Sequence, residues 1–156
     1  MTERKLQCEL TQKRTDTAGQ ERYRSLAPMY IRGAGAVILG FDVTHRDTMD
    51  GCDRWIEELH KIGDPDCVVV AVGNKIDLYG QRDISTEEAR EHFESMEPPV
   101  PYFETSAKTG EGVNELFDSV VRLVIERKAE SMNNNNNNNE NSDEDEDEKD
   151  DKCIIC

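Results

Sequence analysis

The sequence has no apolar run near the roughly 18 to 20 residues that a membrane-spanning helix requires, so it predicts no transmembrane segment. Basic residues are also scarce: 19 Lys and Arg stand against 34 Asp and Glu, which gives a formal charge of -15. A charge of this sign repels nucleic acid and anionic lipid, so we expect no nucleic-acid binding. Any membrane association would need an added lipid.

Cysteine is sparse, and inside the domain it shows none of the paired spacings of a zinc site. The five cysteines stand at positions 8, 52, 67, 153 and 156, and the amino terminus has no signal-peptide pattern. We therefore expect a reducing, cytoplasmic environment. His45, His60 and His92 have no ligand-like spacing either, which predicts ordinary helix or loop positions for them.

The composition changes sharply near residue 131. Residues 131–152 contain one Met and no other apolar residue, and residues 140–152 carry nine acidic and two basic side chains. Such a segment buries too little to fold, so we expect a disordered linker, either a solvated spacer or an interaction tail. About 130 residues are left, enough for a single domain.

Ahead of the linker, short apolar runs alternate with helical patterns, as in a mostly parallel sheet with crossover helices. The runs AVILGFD (36–42) and CVVVAVG (67–73) are continuously apolar, which is typical of parallel strands buried on both faces. YFETS (102–106) predicts a further short strand. The sequence therefore predicts an α/β fold with helices on both faces of the sheet.

Three helices are predicted between and after these strands. The first carries an apolar stripe from Met49 to Ile62, and the second begins with a capping box, Ser85 and Glu88. The third runs from about 112 to 129. Loops at the carboxyl ends of the strands are then the expected ligand-binding region.

Two of those loops have the chemistry of a guanine-binding site. In NKID (74–77), the Asp77 carboxylate can accept two hydrogen bonds from N1 and the exocyclic amine of guanine, whereas adenine presents the wrong pattern. The Lys75 stem can cover the purine face, and the Asn74 amide can brace the neighbouring loop. In ETSAK (104–108), the Ala107 amide can donate to guanine O6, and Lys108 can cover the other face of the ring.

Each motif alone is a weak signal, but a third motif, DTAGQ (16–20), stands at a separation that leaves room for strand–helix pairs between all three. With these motifs, residues 16 to about 128 resemble the carboxyl-terminal two thirds of a Ras-superfamily G domain. DTAGQERYRSLAPMYIRGAGAVILGFDVT resembles a Rab of the early-endosomal branch. The resemblance implies a small GTPase of endocytic vesicle traffic that binds GTP or GDP with Mg²⁺ and hydrolyses GTP to GDP.

The resemblance also assigns roles to individual residues. Asp16 would hold Mg²⁺, usually through water, the Gly19 amide would meet the γ-phosphate, and Gln20 would orient the attacking water. Residues 20 to about 33 correspond to a switch that partners read. The guanine-specificity elements match Asn74, Lys75, Asp77, Ser106, Ala107 and Lys108.

The sequence departs from the family pattern at its start. It contains no G-x-x-x-x-G-K-[ST] phosphate loop, and residues 1–15 read as divergent, so the first strand, the phosphate loop and the first helix are missing. In the family's sheet the first strand is central, so we expect the run at 36–42 to have an uncovered edge. Without phosphate and metal contacts, we expect weak nucleotide binding and no hydrolysis by this chain.

The final residues, KCIIC, have the form of a prenylation box with Cys153 and Cys156 as candidate lipid acceptors; a redox or zinc role for this C-x-x-C is the alternative. Prenyl groups would attach the chain peripherally to the cytosolic face of endosomal or other vesicular membranes. The resemblance implies Rab effectors, exchange factors, escort protein and prenyltransferase as partners.

Two functional hypotheses stay open. In the first, the sequence represents a Rab-type GTPase through an incomplete chain, such as a truncated or mispredicted gene product. In the second, it is a non-enzymatic Rab remnant that keeps a partner surface and the lipidated tail. Nucleotide retention after purification separates the two.

Overall fold

The computed structural model describes residues 15–16, 31–62, 64–136 and 152–155. Its strands are β1 (Thr15–Asp16), β2 (Ala34–Asp42), β3 (Val68–Asn74), β4 (Tyr102–Glu104) and β5 (Lys152–Ile155). Its α-helices in these ranges are α1 (Arg46–Ile62), α2 (Thr86–Glu94) and α3 (Val113–Asn136), with a short 3₁₀ helix at Tyr79–Gln81. Residues 1–14, most of the expected divergent segment, lie outside the described part.

Strands β2, β3 and β4 form a parallel sheet, as the alternating pattern predicted. Along β2 and β3 the pairing runs from Ala36 opposite Val68 to Asp42 opposite Asn74. Strand β4 continues the sheet, with Gly73 of β3 opposite Glu104. Helix α1 connects β2 to β3, and α2 lies between β3 and β4. These are the crossover connections that parallel strands need.

The sheet is buried on both faces, because successive side chains of a strand point to opposite sides. On one face Val37, Leu39 and Phe41 pack in a core with α1 and α2. On the other face Ala36 and Ile38 pack in a second core with α3. The predicted α/β architecture with helices on both faces is confirmed.

The helices form where the sequence predicted them. On α1 the apolar stripe is buried, since Met49, Cys52, Ile56 and Leu59 are at most 5% exposed. At the start of α2, Ser85 Oγ accepts the Glu88 N–H at 3.1 Å, which confirms the serine half of the capping box. The Glu88 carboxylate does not return to the cap but binds the Arg46 guanidinium at the start of α1.

The carboxyl-terminal part of the chain differs from the expectation in two places. Helix α3 continues to Asn136 rather than ending near residue 129, since the Asn run offers no Gly or Pro to stop it. The rest of the predicted linker up to residue 151 lies outside the described residues. Strand β5 pairs in parallel with the edge of β2, with Cys153 opposite Ala36 and Ile155 opposite Ile38. That part of β2 therefore has a neighbour, contrary to our expectation of an open edge.

Candidate functional site

The candidate site lies where β2, β3 and β4 end. Asp42 and Asn74 are paired across β2 and β3, and Glu104 is paired with Gly73, one residue earlier on β3. The loops that leave these strands therefore start side by side at the carboxyl edge of the sheet. This is the place where open parallel sheets bind ligands.

The NKID and ETSAK loops are bonded to each other, with Asn74 at the centre. The Thr105 N–H donates to Gly73 O at 2.8 Å, and the Ile76 N–H donates to Thr105 O at 3.3 Å. Asn74 Oδ1 accepts the N–H groups of Lys75 at 2.8 Å and of Ala107 at 3.0 Å. Asn74 thus braces the neighbouring loop as predicted. The Ala107 N–H, predicted to meet guanine O6, donates to Asn74 in this structure, so a base oxygen would have to share it.

Asp77 is held in place by the second loop. Its Oδ1 accepts the hydroxyl of Ser106 at 2.6 Å, and its Oδ2 lies 3.8 Å from Lys108 Nζ. Ser106 is fully buried, the Asp77 side chain is 13% exposed, and the Lys108 side chain is 80% exposed. A carboxylate has about four lone-pair sites, so an acceptor edge of Asp77 remains for the two donors of a guanine base.

The turn after ETSAK depends on glycine. Ser106 Oγ accepts the Thr109 N–H at 3.2 Å, and the Ser106 N–H donates to Glu111 O at 2.9 Å. Gly112 has φ +72°, and a Cβ atom there would collide with the Glu104 carbonyl oxygen. Only glycine fits this combination of left-handed backbone and close approach. The turn therefore positions Ser106, and through it Asp77.

Lys75 is bound to a residue that the sequence analysis did not select. Its Nζ lies 2.5 Å from Asp42 Oδ2, at the end of the neighbouring strand. Partial burial opposes ionisation of the Asp42 carboxyl, but hydrogen bonds from Lys75 and Thr44 outweigh it and hold the Asp42 pKa well below its ordinary value. The only sequence signal for Asp42 is an acidic residue directly after a buried strand.

The sequence analysis also missed a second hydrogen-bond network, which lies next to the two loops of the site. The Glu104 carboxylate binds the Arg82 guanidinium and accepts the Tyr102 hydroxyl at 2.7 Å. Arg82 also donates to Ile84 O at 2.7 Å. Burial opposes the charge on Glu104, but hydrogen bonds from Arg82 and Tyr102 lower its pKa; burial, followed by Glu104, raises the Tyr102 pKa. This network joins the segment after NKID to the start of ETSAK.

The other predicted site residues are described only in part. Asp16 lies in β1, where its backbone pairs with Ile155, and Cys153 lies in β5. Gly19, Gln20 and Cys156 lie outside the described residues, as does most of the predicted switch. In the described ranges no group of three His, Cys, Asp or Glu side chains is arranged to hold a metal ion. None of the helices described there combines the length and apolarity needed to span a bilayer.

A cavity of about 520 Å³ lies away from these loops. Its lining includes Leu59, Pro65, Val68, Pro99 and Leu123, and none of the predicted site residues. The hydrogen-bonded loops, rather than this cavity, hold the groups that match a base. The described residues therefore bring together Asn74, Asp77, Ser106 and Ala107, the groups that the sequence predicted for base recognition.

Comparison with known proteins shows which family the chain belongs to. The model of the Ras family matches residues 3–126. The chain is 42% identical over 111 residues to putative ras-related protein Rab-5B of Dictyostelium discoideum, covering 71% of this chain and 51% of that protein. It is 46% identical over 107 residues to ras-related protein Rab5 of Nicotiana tabacum (69% and 52% covered) and 41% identical over 109 residues to Rab-22A of Homo sapiens (70% and 55%). The chain thus spans about half the length of the curated relatives it matches.

Proposed function

Because the chain belongs to the Ras family, we propose that it is a Rab-type small GTPase chain of vesicle traffic whose described residues recognise a guanine base. Its similarity to Rab5 and Rab22 proteins supports the trafficking role. The observation that carries the proposal is the fixed Asp77 carboxylate, held by buried Ser106 beside the bonded Asn74 and Ala107.

The geometry favours guanine because the fixed groups match its hydrogen-bonding edge. Guanine offers two donors, N1–H and the exocyclic amine, to a carboxylate, and one acceptor, O6, to a backbone N–H. Adenine reverses this pattern. Because Asp77 is held by Ser106 before any base arrives, it needs little reordering to bind.

Members of the family generally bind GTP or GDP with Mg²⁺. In a chain that binds them, Asp16 would hold the metal, the Gly19 amide would contact the γ-phosphate, and Gln20 would orient the attacking water. Mg²⁺ would neutralise charge on the phosphates. This sequence has no phosphate loop. The base loops alone supply a few hydrogen bonds of about 0.5–1.5 kcal/mol each, so we propose weak, millimolar binding and no hydrolysis by this chain.

We also propose that Cys153 and Cys156 accept prenyl groups, which would place the chain on the cytosolic face of endosomal membranes. Escort protein and prenyltransferase would then be partners, together with Rab effectors and exchange factors. One prenyl chain anchors only reversibly, and the acidic run at 140–152 opposes an anionic leaflet, so two lipids or a receptor protein would be needed. Lipidation of Cys153 would require β5 to leave β2, because an enzyme must surround the residues it modifies.

The test of base recognition is selectivity for GMP over AMP, measured by NMR titration of the full chain at millimolar nucleotide. We expect GMP to shift the amides of residues 74–77 and 105–108, and AMP to shift them much less. Asp77→Asn should abolish the preference, while Asp118→Asn, the same change on an exposed face of α3, should leave it intact. Equal response to GMP and AMP, or an unaltered preference in Asp77→Asn, would disprove guanine recognition.

The second hypothesis is a non-enzymatic chain that binds Rab partners or the prenylation machinery. Both hypotheses use the same fold. They differ in whether the chain recognises a guanine nucleotide. Chain that retains GDP through size-exclusion chromatography would overturn the millimolar affinity proposed above, whereas chain that binds escort protein and shows no preference for GMP over AMP supports the second hypothesis.

A further inference from the structure

The ammonium group of Lys75 is held across the gap between two strands. Its Nζ lies 2.5 Å from Asp42 Oδ2, although Asp42 ends β2 and Lys75 follows β3. The Lys75 side chain is 52% exposed, whereas the Asp42 side chain is 13% exposed. The Asp42 carboxylate is therefore the more buried partner of the ion pair.

Asp42 is fixed by its own neighbours. Its Oδ1 accepts the backbone N–H of Thr44 at 2.9 Å and the Thr44 hydroxyl at 2.6 Å. Its Oδ2 lies 3.2 Å from His45 Nδ1, and its backbone N–H donates to Thr48 Oγ1 at 3.0 Å. These contacts hold the Asp42 carboxylate at the end of β2 independently of Lys75.

The other end of the Lys75 side chain is fixed as well. Lys75 has φ +69°, a left-handed conformation that is uncommon for a residue with a side chain. Its N–H donates to Asn74 Oδ1, the same oxygen that accepts the Ala107 N–H. The Lys75 methylene stem thus runs between a backbone N–H bound by Asn74 and an ammonium group bound by Asp42. It lies at the edge of the sheet where Asp77 also lies.

We propose that Asp42 is a positioning residue of the base site, which holds the Lys75 stem as an apolar wall against one face of the purine ring. This inference rests on the proposed guanine site. The contribution of Asp42 to affinity should be the same for every purine, because a lysine stem that covers a ring face contacts any purine in the same way. Asp77, in contrast, distinguishes bases by their hydrogen-bonding edge.

The contrast between GMP and IMP separates these two roles. The two bases differ only in the exocyclic amine, which is one of the two donors for Asp77. We expect Asp42→Asn to weaken binding of GMP and IMP equally, by roughly two- to five-fold, the effect of losing an ion pair whose lysine is half exposed. Asp77→Asn should weaken GMP more than IMP. Asp50→Asn, an exposed acid on α1, is the matched control and should change neither nucleotide.

A second measurement follows Lys75 without nucleotide. The ¹⁵N relaxation of Lys75 Nζ should show a restrained side chain in the unaltered chain and a mobile one in Asp42→Asn. Lys75→Met keeps the stem and removes the ammonium group, and it provides a second variant should Asp42→Asn not fold. The Asp42→Asn, Lys75→Met double variant should bind GMP as weakly as either single variant, because both remove the same anchor.

Each result of these two measurements either supports or overturns the proposed role of Asp42. Equal loss for GMP and IMP, together with a mobile Lys75, supports it. A Lys75 that stays restrained in Asp42→Asn, an unchanged GMP affinity with a mobile Lys75, or a GMP-specific loss overturns it. If the unaltered chain binds neither nucleotide, the proposed base site itself fails and the inference fails with it, a result distinct from binding that ignores Asp42.

Discussion

Replacing Glu104 with Gln is expected to destabilise the chain by about 2 kcal/mol at neutral pH. The change keeps the shape of the side chain but removes the charge that Arg82 binds. Arg82 donates to both carboxylate oxygens, so the amide N–H₂ group of Gln faces an Arg82 donor whichever oxygen it replaces. Tyr102 keeps an acceptor only if the amide oxygen takes the position of Oε1.

The magnitude follows from the burial of the pair. Breaking a fully buried ion pair costs about 3–5 kcal/mol, whereas exposed pairs contribute about 0–1 kcal/mol. The Arg82 and Glu104 side chains are 22% and 21% exposed, so the pair lies between these limits. Water can reach part of the guanidinium and part of the amide, which lowers the loss to about 2 kcal/mol.

The loss of stability in Glu104→Gln should also depend on pH, and the direction of the Glu104 pKa shift sets the sign of this dependence. The Glu104 pKa is lowered in the folded chain, so its stabilisation is complete above the unfolded pKa of about 4.3 and is lost as pH falls through the folded pKa. The difference between the unaltered chain and Glu104→Gln should therefore be largest near pH 7 and should shrink below pH 4.

Urea unfolding followed by the fluorescence of Trp55, the single tryptophan, measures both effects. Trp55 packs partly buried against the core, so its emission should report unfolding. Glu88→Gln is the control, since it makes the same change in an exposed pair with Arg46. A Glu104→Gln loss no larger than that of Glu88→Gln, or one that does not change between pH 7 and pH 3, would show that the Arg82–Glu104 ion pair does not stabilise the fold in this way.

Three further substitutions test the fold around the site. Gly73→Ala should cost about 1–3 kcal/mol in the same unfolding assay, because its Cβ would lie 2.5 Å from Tyr102 Oη and 2.8 Å from Val43 Cγ1; an unchanged midpoint would contradict this packing. Gly112→Ala should lower GMP affinity as well as stability, since it strains the turn that positions the Asp77 partner loop; normal GMP binding would show that the turn is not needed. Ile154→Pro should speed amide hydrogen exchange in β2, because proline cannot donate to the ladder, while Asp147→Pro in the linker should not; equal exchange in both variants would show that β5 does not stay paired with β2.

The strands and helices were predictable because burial leaves a local signature. The runs at 36–42 and 67–73 are continuously apolar since both faces of the sheet are covered, and β2 and β3 fall within two residues of those bounds. Ser85 marked the start of α2 through its own side-chain chemistry. Such features depend on neighbours in sequence, which is why they can be read without a structure.

The missed features depend on neighbours in space. Asp42 acquires its role from the β2–β3 register, which places it beside Lys75. Arg82 and Glu104 meet only because β4 lies next to the segment after β3. The pairing of β5 with β2 joins residues from opposite parts of the chain. No local pattern encodes these pairings, so the position of the NKID and ETSAK loops at the strand ends was predictable while their supporting contacts were not.

We propose that the described residues bind a guanine base but add no comparable contacts to its phosphates. Isothermal titration of the purified chain with GMP and with GDP plus Mg²⁺ tests both parts of this proposal. We predict millimolar dissociation constants for both, with GDP at most about ten-fold tighter, since phosphate and metal contacts are what a phosphate loop would add. Submicromolar binding of GDP would show that the chain holds the phosphates tightly after all. No binding of GMP at all would disprove the proposed base site.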